Sequence, residues 1–128
     1  MSLLALLLLV KIIVSIVMII VPFLFFPKEK LEKLTKIQAQ SATLFRLYGA
    51  AILALVIAYS SGVWEIAQGA FPWGIALMGL VSNTGAVTAI IATGAAANSR
   101  FLTAFFSFIA IGCALSLLFP ERAIAALI

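Results

Sequence analysis

The run LLALLLLVKIIVSIVMIIVPFLFF, from Leu3 to Phe26, decides the fold class. A helix rises about 1.5 Å per residue, so a hydrocarbon layer of about 30 Å takes about 20 apolar residues to cross. This run supplies them with a single charge inside, Lys11. Three more apolar runs follow, and the spans are placed at 2–26, 43–62, 72–97 and 101–119. Pro22 has no N–H to give the carbonyl of Met18, so a kink is expected near the end of the first span. Across its 128 residues the chain is 66% hydrophobic and 9% charged, against roughly 45–50% and about 25% in soluble domains. That composition excludes a water-soluble globule. The expected class is all-α: a polytopic membrane protein folded as one compact four-helix bundle over residues 1–128.

The first run is not read as a signal peptide, because no basic residue precedes it and no small-residue cleavage site ends it. After Pro27 comes the one polar segment, Lys28 to Gln40, in which Leu31, Leu34 and Ile37 recur at three-residue spacing. Glu29 with Lys33 and Glu32 with Lys36 are pairs in the favourable order. A short amphipathic helix at the membrane surface is expected, with Lys28, Lys30, Lys33 and Lys36 reaching toward anionic headgroups. Ser41 or Thr43 is a plausible cap for the second span, and Ser60-Ser61-Gly62 its expected end. Trp64 and Trp73, in or beside the next connection, suit a headgroup belt. Asn98-Ser99-Arg100 reads as a tight turn, and Pro120 stops the fourth span.

Topology follows from the basic residues. Lys28, Lys30, Lys33, Lys36, Arg46 and Arg100 fall on the side of the first and third connections, and Arg122 falls opposite. Positive residues stay cytoplasmic, so both termini are expected outside, in a bacterial inner membrane.

Lipid removes the hydrophobic drive for helix association, so small residues mark the contact seams. Gly79, Ser82, Ala86, Ala89, Thr93 and Ala96 form such a stripe on the third span. Thr103, Ser107, Ala110 and Ala114 form another on the fourth, and Ala50, Ala54 and Ala58 a shorter one on the second. Phe101, Phe105, Phe108 and Phe119 lie near one face of the fourth span. Polar positions inside the membrane are expensive, which singles out Lys11, Ser15, Tyr59, Asn83 and Thr84. Two arrangements suit Lys11: snorkelling to the outer interface, or an ion pair with Glu65 at the mouth of the bundle. For Asn83 and Thr84 the readings are an interhelical hydrogen bond or, with Ser15, the lining of a ligand or ion path. Lone Cys113 reads as a small apolar residue.

Without His, with one Cys and four carboxylates, the chain offers no haem or metal site, and its glycines lack phosphate-loop spacing. No cofactor, catalytic group or nucleic-acid partner is expected. The segment Phe45-Arg46-Leu47-Tyr48-Gly49-Ala50-Ala51 resembles the second-helix opening of the DoxX-like group of small four-helix membrane proteins. The resemblance implies a small membrane subunit, in some members linked to quinone reduction or sulfur-redox complexes. Fluoride channels share the span number and phenylalanine-lined paths, here Phe105, Phe106 and Phe108, but their dual topology departs from this charge asymmetry. The leading expectation is a non-enzymatic accessory subunit packing against other membrane proteins or itself. A binder of a lipophilic, quinone-like molecule and a small channel or transporter are the alternatives.

Overall fold

The computed structural model describes residues 1–35, 41–94 and 100–126. Six helical elements make up these residues: α1 (Leu3–Phe25), α2 (Lys28–Thr35), α3 (Thr43–Ala67), α4 (Trp73–Ala92), α5 (Arg100–Leu118) and α6 (Pro120–Ile124). Four of them, α1, α3, α4 and α5, are long and apolar enough to cross a membrane. The described residues contain no strand. Ser2 and Ala126 form an isolated antiparallel bridge that sets both ends of the chain side by side.

Local chemistry explains the helix ends. Ser2 caps α1, its hydroxyl accepting from the Ala5 N–H at 3.1 Å. Inside α1 the segment Ile16–Ile20 is π-helical, between α-helical Leu3–Ser15 and Val21–Phe25. A proline one turn further on removes an N–H from the ladder, and the wider turn takes up the mismatch expected as a kink. Gly69 and Gly94, at φ 83° and 77°, adopt the left-handed conformation that ends α3 and α4.

Helix α3 runs to Ala67, five residues past the stop expected at Ser60-Ser61-Gly62. Ser60 and Ser61 turn their hydroxyls back onto the carbonyls of Val56 and Ala58, at 2.9 and 2.7 Å, and so stay helical. Gly62 is a packing residue, since a Cβ there would meet the Ile75 side chain at 2.8 Å and Leu8 at 3.1 Å. The connection therefore shrinks to Gln68–Pro72.

The helices associate in two closely packed pairs, α1 with α3 and α4 with α5, whereas α3 and α4 touch only lightly. The central core gathers Ile19, Phe23, Ile52, Val56, Phe106 and Ile109, and a smaller cluster of Leu4, Leu8, Tyr59 and Ala123 closes the end near the termini. In α2 the ion pair that forms is Lys28 with Glu32, at 3.4 Å. Leu31 is buried and Leu34 exposed there, while Lys36, Ile37, Ala96 and the Asn98-Ser99 turn lie outside the described residues.

Candidate functional site: a buried lysine in the bundle

Lys11 is 1% exposed. Its ammonium donates to the side-chain carbonyl Oδ1 of Asn83 at 3.0 Å, joining α1 to α4. Neither arrangement expected for this lysine is found. It does not snorkel, because its ammonium is turned inward onto α4 and the whole side chain is buried, and its partner is Asn83 rather than Glu65.

The amide of Asn83 is fixed from its other end. Its Nδ2 donates to the Gly79 carbonyl at 2.7 Å and to the Tyr59 hydroxyl at 3.2 Å, with Ser82 Oγ at 3.4 Å. An amide has two N–H donors, and the two shorter contacts use them, so Oδ1 points at Lys11. Gly79 allows the close approach: a Cβ there would stand 2.7 Å from the Cys113 sulfur and 3.4 Å from the Tyr59 ring.

Two phenylalanines of α5 flank the cation. The Lys11 nitrogen lies 4.8 Å from the ring centres of both Phe105 and Phe106, and 6.0 Å from that of Tyr59. Ring faces carry negative charge density, and such contacts strengthen when water is removed. An ammonium has three donors, and of these only the one to Asn83 meets a hydrogen-bond acceptor among the described residues.

Beside the cation is a cavity of about 210 Å³. Lys11 and Asn83 form its polar end with the Phe106 ring beside them, and the lining continues with Ser82 and Ala86 of α4 and Tyr48, Ala51, Ile52 and Leu55 of α3. The cavity lies between α3 and α4, which pack lightly, and its lining includes Tyr48 and Ala51, both exposed residues. Its volume holds a small ring or a short chain bearing one polar group.

The structure thus brings together Lys11, Tyr59, Asn83 and Ser82, and leaves other singled-out residues apart. Ser15 is fully buried one turn from Lys11, its hydroxyl without a hydrogen-bond partner. Thr84 is exposed, and Glu65 lies half-buried near the end of α3. Along the expected α4 seam Gly79 is buried, Ser82 and Ala86 are half-buried, and Ala89 and Thr93 are exposed. On α3, Ala50 and Ala54 face outward, because the larger Ile52, Val56 and Tyr59 fill the interior. The phenylalanines of α5 divide likewise, Phe105 inward and Phe101 and Phe108 outward, and Phe119 just after the helix is exposed. Tyr48, Ser82 and the ring pair Phe105 and Phe106 belong to the site without having been read as Lys11 neighbours.

Arg46 has a structural task. It donates to the Phe23 carbonyl at 2.6 Å and ties the start of α3 to the last turn of α1. Compared with known protein families, curated proteins and solved structures, the chain matches none, so the chemistry of the site is the guide to its role.

Proposed function

We propose that this chain is an integral membrane protein that crosses the bilayer four times, with both termini outside, and holds the polar head of a lipophilic molecule at Lys11 and Asn83. The observation that carries the reading is a buried ammonium with spare donors on the wall of a cavity between two lightly packed helices, lined in part by the exposed Tyr48 and Ala51. A molecule dissolved in the bilayer reaches such a cavity directly, placing an acceptor group against Lys11 and its tail in lipid. A carboxylate or a ring carbonyl meets that requirement. The role is binding rather than catalysis, with α2 lying at the cytoplasmic surface and Lys30 and Lys33 toward anionic headgroups. Kinship with DoxX-like proteins, resting on Phe45 to Ala51, is part of this proposal.

The test uses protein in nanodiscs of zwitterionic lipid, titrated with hexanoate, methyl hexanoate, duroquinone and n-heptane. At least one acceptor-bearing probe binds saturably, heptane does not, and Ala86→Phe, which fills the cavity, abolishes binding. No binding by the parent, or unchanged binding to Ala86→Phe, contradicts the reading.

A second reading, a subunit that packs against other membrane proteins or itself, is favoured by the outer face of α4. A Cβ on Gly74 or Gly85 would meet nothing within 4 Å, and Thr84, Thr88 and Ala89 are exposed around them. Small residues left uncovered permit close approach of another helix. Gly85→Leu then breaks an assembly seen by native mass spectrometry, and an unchanged mass removes the support.

A further inference from the structure

The charge around Lys11 is unbalanced. Its one hydrogen-bond partner is the neutral amide of Asn83, and the cavity is lined by no Asp or Glu. Among the described residues the ion pair formed is Lys28 with Glu32, on α2 and away from the cavity. Buried charges in proteins are ordinarily paired, and opposite charges attract far more strongly in a low-dielectric interior than in water. The rings of Phe105 and Phe106 and the amide dipole favour a cation at this position without neutralising it.

Building on the binding role proposed above, we infer that the occupant of this cavity is an anion: a lipophilic monocarboxylate whose head replaces the missing counter-ion of Lys11. The geometry sets what fits. Asn83 Oδ1 occupies one ammonium donor, leaving the others for a carboxylate at the cavity's polar end. Ser82, half-buried on the same wall, supplies a neutral donor beside it. Ile52, Leu55 and Ala86 receive the first methylenes, and the rest of the chain leaves between α3 and α4. A second negative charge finds no cation here, since among the described residues Lys11 is the one basic side chain lining the cavity.

The experiment compares hexanoate with its methyl ester in the nanodiscs described above, at neutral pH where the acid is ionised. Charge-assisted hydrogen bonds are about twice as strong as neutral ones, so hexanoate should bind about tenfold or more tighter than the ester and than duroquinone. Lys11→Met should weaken both probes and bring their affinities together, erasing that preference, and Lys11→Arg should keep it. If Lys11→Met does not fold, Lys11→Arg and the ratio in the parent still decide. Ester or duroquinone binding as tightly as hexanoate overturns the inference and leaves the binding role standing. Binding of no probe overturns both.

Discussion

At the scale of single residues, Lys11 and Asn83 depend on each other unequally. Removing the amide takes from a buried ammonium its hydrogen bond to Asn83, and a lost hydrogen bond to a charged group costs about 1.5–3 kcal/mol. Asn83→Ala is therefore expected to lower stability by that amount in thermal unfolding in detergent. Lys11→Met leaves behind a neutral amide still bonded to Gly79 and Tyr59, so it should cost less, and adding it to Asn83→Ala should recover part of the loss. Equal costs that simply add would show that the two side chains do not interact. Gly79 is a second sensitive point, because its missing Cβ makes room for the Cys113 sulfur at 2.7 Å. Gly79→Ala should destabilise by about 1–3 kcal/mol, and Cys113→Ala should relieve much of it. The ingredients of the site were visible in the sequence as polar residues in apolar runs, but their pairing was not. Depth aligns them only once α3 is known to reach Ala67: Lys11 lies eight residues past Leu3, Tyr59 eight before Ala67 and Asn83 ten past Trp73, whereas a span ending at Gly62 puts Tyr59 three residues from its end. Which neighbours face inward depends on packing, and the small-residue stripes misplace it on α3, where Ile52 and Tyr59 fill the interior.

At the scale of elements, the hydrophobic runs located the four long helices, and their ends depended on details the runs do not carry. Serine hydroxyls that fold back on their own helix and a glycine wedged against Ile75 carried α3 past an apparent stop. The left-handed Gly69 ends it instead. The π-helical turn before Pro22 leaves Val21–Phe25 as a short terminal piece of α1 that α3 holds in place. Arg46 grips the Phe23 carbonyl, and Gly49 lies under that turn, where a Cβ would meet Phe23 at 3.1 Å and Leu24 at 3.2 Å. Arg46→Leu is thus expected to speed amide hydrogen exchange in Val21–Phe25 while leaving α4 and α5 unchanged. Exchange rising evenly through the bundle would mean that Arg46 supports global stability and not this one turn.

At the scale of the whole molecule, the bridge sets Ser2 and Ala126 side by side at one end of the bundle, and the topology proposed from the basic residues puts that end outside. In a Cys113→Ser background, a membrane-impermeant thiol reagent added to intact cells should label Ala126→Cys and spare Lys33→Cys. The opposite pattern would invert the topology without disturbing the fold. The proposed site rests on a lysine enclosed among four long apolar helices, and the reactivity of that lysine measures this most directly. With the protein in intact bilayers, a water-soluble amine-acylating reagent read by peptide mass spectrometry should modify Lys30 and Lys33 and leave Lys11 untouched until the bundle is unfolded. Acylation of Lys11 at the same rate as Lys30 would contradict the burial on which the site, its cavity and the proposed anionic occupant all depend.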